Sequence, residues 1–448
     1  MRSLWRARHA SLAAVLVLCA CRGAEPAAPA AKGRPNVILC MTDDQGWGDT
    51  SYNGLTKIKT PALDSMAASG LRFDRFYAAA PLCSPTRASV LSGRHPFRSG
   101  VFSPGVPWRT RELSIAQALK PAGYTAGHFG KWHLNGVSGP GKPVPADDPL
   151  NPGKFGFDEW FSVSNFFECD WTFSHNGTPE KTSGDGSDAI VAQALKWIEV
   201  QARERKPFLA VVWFGNPHVP NAPTAADLEA AGGDKYYGEI VGIDRAMGAL
   251  RAGLRKLGVA DDTMLWFCSD NGAARQGSNG PFRGQKGSVW EGGLRVPGIL
   301  EWPGRIKPGH ASVPVCTSDL YPTILEAAGV SVPKQVQPLD GISLMPLLEG
   351  KMTERPRPIG FWHGGGKNMD RDGGHAAWSD NRYKLHKISE RQKAGVSFEL
   401  YDLSDDPSEK KDLAKDKPEV VAKMRAELEA WQDSVLRSLH GEDYKAGK

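Results

Sequence analysis

The sequence predicts an α/β layer fold: a large, mixed, mostly parallel central sheet flanked by helices, then a smaller antiparallel sheet with one helix. Three observations carry this expectation. Short apolar runs rich in β-branched residues alternate with helical patterns through most of the chain. Cap and stop residues separate them. From about Arg355 the texture changes to closely spaced strand-like runs and one final helix.

Asn36–Met41 (NVILCM) reads as a buried strand. Thr60-Pro61 then opens a helix, with Thr as cap and Pro at the first helical position, and Gly70 stops it. Phe208–Phe214 (FLAVVWF), Met264–Cys268 (MLWFC) and Pro297–Trp302 (PGILEW) are further strands. Helices are expected at Ser114–Pro121, Asp188–Arg205, Tyr236–Leu257 and Asp319–Ala328. Past Arg355, the runs Gly360–His363, Ala376–Ser379, Tyr383–His386 and Phe398–Leu403 read as short strands, and Pro418–Leu439 as the last helix. A long stretch between Lys131 and Asp188 reads as irregular. Loops of that length usually serve a function.

The 448 residues carry a net charge of +5, which falls to +2 once Arg2, Arg6 and Arg8 of an N-terminal leader are removed. That bias is too weak for a nucleic-acid partner. The leader has a basic start, an apolar run from Leu12 to Leu18 too short to span a bilayer, and then small residues. Leu18-Cys19-Ala20-Cys21 resembles the lipobox of bacterial lipoproteins. That resemblance implies lipidation at Cys21 and a place in the periplasm or cell envelope. A plain secretory signal cut near Ala24 is the alternative; either way the protein is exported. The expected organisation is a signal peptide over 1–20, a lipidated flexible tether over 21–34, an α/β catalytic domain over 35–354 and an α+β unit over 355–448. Of the seven cysteines, none sits at zinc spacing, and Cys40 and Cys268 end apolar runs as small buried hydrophobes.

Two acidic pairs follow predicted strands: Asp43-Asp44 and Asp270-Asn271. Chemistry in such sheets gathers at the carboxyl ends of strands. Either pair alone is equally a helix cap or a turn former. Two pairs at matching positions instead offer an all-oxygen ligand set for a hard divalent cation. Cys83 precedes Ser84-Pro85-Thr86, a helix start. That position favours anions and is expected to lower the thiol pKa, with Arg87 one turn on. An inert packed cysteine is the other reading. Lys131 and His133 (GKWH), His218 (NPHVP) and Lys286 (GQKG) each lie in a loop that can follow a strand.

These residues carry a resemblance. Cys83-Ser84-Pro85-Thr86-Arg87 is similar to the C-x-P-x-R signature of the type I sulfatases. Gly123–His133 resembles their second signature. Asp43-Asp44, the segment at His218, Asp270-Asn271-Gly272 and GQKGSVWEGG at Lys286 follow in the family's order. Thr86 stands where serine is more usual.

The resemblance implies a sulfate-ester hydrolase. Its Cys83 would be oxidised to Cα-formylglycine by a formylglycine-generating enzyme or an anaerobic maturase. A serine would end as a stable sulfate ester, whereas a hydrated aldehyde can expel sulfate by C–O cleavage. By the same resemblance Asp43, Asp44, Asp270 and Asn271, with residue 83, hold Ca²⁺, or Mg²⁺ in its place. Arg87 orients the nucleophile, and Lys131 and Lys286 grip the sulfate. Lys286 or His218 protonates the leaving alcohol, and His133 takes a proton from the second hydroxyl. The expected substrate is a sulfated carbohydrate, with Asp170, Trp171 and His175 as candidate sugar contacts. A phosphonate or phosphate monoester hydrolase on the same fold, and an inactive relative that binds sulfated glycans, are the alternatives. No expected catalytic position is substituted, which argues against the inactive one.

Overall fold

A computed structural model describes residues 33–334, 337–389 and 395–444. The expected leader, its lipobox and nearly all of the tether lie outside the described residues. A ten-stranded sheet forms the centre. Its order is Gly309–Ala311, Leu71–Phe73, Gly298–Glu301, Thr263–Ser269, Asn36–Thr42, Phe208–Trp213, Thr125–Lys131, Glu159–Val163, Thr172–His175, Thr178–Lys181. The five strands from Thr263–Ser269 to Glu159–Val163 run parallel. Gly298–Glu301 and Thr172–His175 turn antiparallel on either flank.

The central strands read as unbroken apolar runs because both faces of the sheet are covered. Val37, Leu39, Met41, Leu209, Val211 and Trp213 enter one core, while Ile38, Cys40, Phe208, Ala210 and Val212 enter the other. On the second face pack the helices Pro61–Ser69, Gly186–Arg203 and Lys235–Lys256. Ile190, Val191, Ala194 and Ile198 give the stripe expected of a helix with one buried side. The helices Cys83–Ser92, Ile115–Leu119 and Leu320–Ala327 cover the first face. The Thr60 side chain makes no capping bond to the helix backbone; its hydroxyl goes to Asp64 Oδ1 at 3.1 Å instead.

The stretch after Lys131 is not irregular as expected. It contributes Glu159–Val163, Thr172–His175 and Thr178–Lys181, which widen the sheet. The aromatics there pack it down: Phe161 stacks on Phe173 at 4.6 Å, and Phe167 meets Phe173 edge-on at 4.9 Å.

The C-terminal sheet is fully antiparallel: Ile359–His363, His375–Ser379, Tyr383–Ser389, Val396–Asp402. Met424, Leu428 and Val435 of the helix Pro418–Leu439 cover one face with Trp362, Trp378, Leu385 and Leu400. The other face lays Ile359, Phe361 and Ala377 against Tyr77, Ala79, Val289 and Leu294. Among the described residues no helix is long and apolar enough to cross a membrane.

Candidate active site

Five chain segments meet at the carboxyl ends of the parallel strands. Asp43 and Asp44 leave the end of Asn36–Thr42, and Asp270 and Asn271 leave the end of Thr263–Ser269. These two strands are paired in register up to Thr42 and Ser269, so the acidic pairs emerge side by side. The Asp44 amide donates to Asp270 Oδ1 at 3.2 Å, and Asn271 Nδ2 donates to Asp44 Oδ1 at 2.8 Å. Lys131 ends the strand Thr125–Lys131, and its ammonium bonds Asp43 Oδ2. Gly130 just before it allows close approach: a Cβ there would lie 1.9 Å from the Trp213 carbonyl oxygen. Lys286 Nζ lies 2.6 Å from Asp44 Oδ1, and the next amide, Gly287 N, donates to Pro81 O at 2.9 Å, close to Cys83.

Cys83 is the first residue of the helix Cys83–Ser92 and is buried. Its Sγ lies within 4.8 Å of a carboxylate oxygen from each of Asp43 and Asp270. Arg87, one turn on, has no exposed surface. It donates to Asp270 Oδ2 at 2.7 Å and to the Lys131 carbonyl at 3.3 Å, and its guanidinium stands over the Trp213 ring. The Thr86 hydroxyl donates to the Ala80 carbonyl at 2.8 Å, a bond that serine could also make.

The expected lowering of the thiol pKa does not occur. Burial pushes the Cys83 thiol up, and the opposing pull of Lys131 and Lys286 is too small to reverse it. Desolvation at this depth outweighs the helix end.

The carboxylates are driven apart. Burial alone would raise Asp43, but Lys131, with His218, Arg87 and Lys286, holds it well below the usual range. Burial and the Asp43 charge push Asp270 up. Among buried atoms, Asp43 Oδ1 and Asn271 Oδ1 have no hydrogen-bond partner. Unpartnered buried acceptors in an all-oxygen cluster fit a hard divalent cation. Asp43, Asp44, Asp270 and Asn271 are the residues that could hold it.

Two histidines border the cluster. His133 is buried and sits in the left-handed region (φ 53°), as does Asp44 (φ 68°). Backbone strain of this kind persists only where the surroundings impose it. Burial, then Lys131 and Arg87, keep the His133 ring neutral, and its Nδ1 has no partner. His218 Nε2 lies 3.9 Å from Asp44 Oδ2, and its Nδ1 donates to the Val219 carbonyl at 2.5 Å.

All ten expected catalytic and metal residues thus gather in one place. The three candidate sugar contacts are engaged within their own segment. Asp170 accepts from the Gly184 amide at 2.8 Å, the Trp171 indole donates to the Gly141 carbonyl at 3.0 Å, and His175 lies between Glu159 and Glu180.

Sequence reasoning missed what holds His218. Phe166 stacks on its ring at 4.8 Å and 14°. Beyond it, Glu168 and Glu239 both accept the Ala222 amide, at 3.2 and 2.6 Å, and Asn216 donates to Glu239. Among the described residues no basic side chain pairs with either glutamate. Burial pushes Glu168 to about 7, while burial and the Glu168 charge push Glu239 to about 9. The folded protein therefore binds a proton here that the unfolded chain releases near its ordinary carboxylate pKa. The resulting stability is complete at low pH and is lost as pH rises through about 7 to 9. Thermal melts should show a Tm at least about 2 °C lower at pH 9 than at pH 6. Glu239→Gln should flatten that slope; an unchanged slope would refute the shared proton.

A family model described as Sulfatase matches residues 35–330, and one described as N-sulphoglucosamine sulphohydrolase, C-terminal, matches residues 282–434. N-acetylgalactosamine-6-sulfatase of Mus musculus is 34% identical over 368 residues, which cover 72% of this chain and 68% of the relative. The crystal structure of Ps i-CgsB in complex with k-i-k-neocarrahexaose matches with a TM-score of 0.79 at 27% identity, over 89% of this chain and 93% of that one. The phosphonate monoester hydrolase of Agrobacterium radiobacter shares the fold with a TM-score of 0.66 at 22% identity, over 91% of this chain and 97% of that one.

Proposed function

The chain belongs to the type I sulfatase family, and from that premise we propose that it hydrolyses sulfate esters of carbohydrates with a formylglycine made from Cys83 as nucleophile. The observation that supports this most is the placing of Asp43 and Asp270 within 4.8 Å of Cys83 Sγ, with Asp44 and Asn271 bonded beside them and Arg87, Lys131 and Lys286 paired to Asp270, Asp43 and Asp44. The carbohydrate part draws on the relatives, one named for N-acetylgalactosamine 6-sulfate chemistry and one solved with a neocarrahexaose.

A divalent cation on the four oxygen ligands, Ca²⁺ or Mg²⁺, would supply positive charge that polarises the sulfuryl group. Formylglycine at position 83 would supply a hydrated aldehyde, one hydroxyl to attack and one to release sulfate. Arg87, fixed by Asp270 and the Lys131 carbonyl, orients residue 83. Lys131 and Lys286 bind sulfate oxygens, and their charges count most as negative charge builds on the leaving oxygen. Neutral His133 accepts a proton from the second hydroxyl. His218 has Nδ1 tied to a carbonyl, so Nε2 is the atom that exchanges a proton. Together with Lys286 it serves the leaving alcohol. Because Cys83 is buried in the folded chain, a maturase has to act before the helix Cys83–Ser92 docks.

The phosphonate hydrolase reading shares the fold alone, at 22% identity. Matured enzyme should be assayed on sulfated mono- and oligosaccharides, 4-nitrophenyl sulfate and 4-nitrophenyl phosphate. Sulfate release from at least one sugar, with sulfate preferred over phosphate, is expected. Preference for the phosphate ester overturns the sulfatase reading, and no release from any sugar overturns the carbohydrate reading. We also propose export and anchoring through lipid at Cys21. Wild-type protein should fractionate with membranes and Cys21→Ser should not; a wild type already in the soluble fraction refutes the anchor.

A further inference from the structure

A buried charged chain links the Lys286 segment to the C-terminal sheet, and nothing in the proposed mechanism uses it. Lys384 Nζ lies 2.9 Å from Glu291 Oε1 and 3.2 Å from Glu409 Oε1, and all three side chains are fully or almost fully buried. Arg295 lies 3.5 Å from Glu291. Burial pushes the Glu409 carboxyl up, but both its oxygens face donors that cannot accept, Oε1 the Lys384 ammonium and Oε2 the Glu291 amide at 2.7 Å, so Glu409 serves as the acceptor here. Glu409 Oε1 faces His386 Nε2 at 2.7 Å, so that nitrogen carries the ring proton. His386 is buried and held neutral by burial, with Lys384 adding to the effect. Its Nδ1 must then accept, and the donor is His375 Nε2 at 2.8 Å.

The relay fixes one outcome. His375 presents a bare Nδ1 lone pair, and among the described residues no protein donor takes it. His375 is only half-buried, and its strand register places it beside His363. Trp290 packs against both relay rings, 5.2 Å from His375 and 4.1 Å from His386, and Arg283 lies over the Trp290 ring at 3.5 Å. Trp290 is four residues from Lys286, which reaches into the catalytic cluster. Four residues span at most about 14 Å. Through Trp290 the lone pair therefore adjoins the segment that carries Lys286 into the catalytic cluster.

We propose that His375 is a specificity-determining residue, whose Nδ1 accepts a hydrogen bond from a hydroxyl or amide N–H of the substrate sugar. The inference rests on the carbohydrate reading above. An acceptor locked by a buried carboxylate discriminates in favour of donors: a sugar lacking a donor at that position leaves the lone pair unpaired.

The test uses the full matured enzyme on two substrates: the sugar sulfate that the wild type turns over fastest, and 4-nitrophenyl sulfate. His375→Phe keeps a planar ring and removes the acceptor. The ratio of kcat/KM on the sugar to that on the aryl ester should fall about tenfold, mainly through KM, as expected for one lost hydrogen bond. His375→Gln restores an acceptor and should recover most of the ratio. An unchanged ratio in His375→Phe, or a ratio in His375→Gln as low as in His375→Phe, overturns the inference. A wild type that cleaves the aryl ester but no sugar sulfate overturns the carbohydrate reading, and the inference with it, before any variant is made.

Discussion

Cys83→Ala is expected to give a folded protein that releases no measurable sulfate. Cys83 is buried at the first position of its helix, where alanine is tolerated in shape and propensity. Losing one small buried atom costs about 1–2 kcal/mol at most. Turnover should fall by at least about 10⁴-fold, because the group that forms the covalent bond is gone. Circular dichroism and a thermal melt check the fold, and sulfate release from 4-nitrophenyl sulfate checks the chemistry. Cys83→Ser separates the nucleophile from its second hydroxyl. A serine could attack once but could not shed sulfate by C–O cleavage, so it should be as inactive over many turnovers as the alanine variant. Mass spectrometry of the peptide carrying residue 83 should show the aldehyde in wild type. Full activity in Cys83→Ala would refute the nucleophile.

Much of this was legible in the sequence for physical reasons. Strands such as Phe208–Trp213 are covered on both faces, so they appear as apolar runs that length and flanking turns can identify. Asp43-Asp44 and Asp270-Asn271 follow their strands directly, so locating the strands located the candidate ligands. The edge of the sheet was not legible. Thr178–Lys181 is exposed along its whole length and carries no hydrophobic pattern, and Phe161 and Phe173 pack as a pair that neither period reveals. Contacts between distant segments were also hidden. Nothing near Glu168 in sequence announces Glu239, and nothing near His218 announces Phe166. The sign of the Cys83 shift failed for a related reason. A helix start is visible in sequence, but the depth at which it is buried is not.

Removing divalent cation should abolish turnover while leaving the fold intact. Every carboxylate of the proposed metal set already has a partner within the chain: Asp43 with Lys131, Asp44 with Lys286, Asp270 with Arg87. Each carboxylate faces its own cationic side chain, so the metal-free cluster leaves none of the three without a partner. Chelated protein should keep its circular dichroism and a cooperative melt. Its unfolding free energy should be lower only by that of binding, about 4 kcal/mol if the cation stood at a thousand times its Kd, with a correspondingly lower Tm. Ca²⁺ or Mg²⁺ should restore turnover, and recovery with zinc alone would count against the oxygen set. Asp270→Ala is the harsher variant, because it strands the Arg87 guanidinium without its carboxylate, a loss of about 3–5 kcal/mol. Asp270→Asn is the informative one. The amide oxygen still accepts from Arg87 and the volume is kept, so the fold should survive. The ligand set loses one charge, so half-maximal activity should need at least ~10-fold more cation. An Asp270→Asn enzyme with the cation requirement of wild type would remove Asp270 from the ligand set.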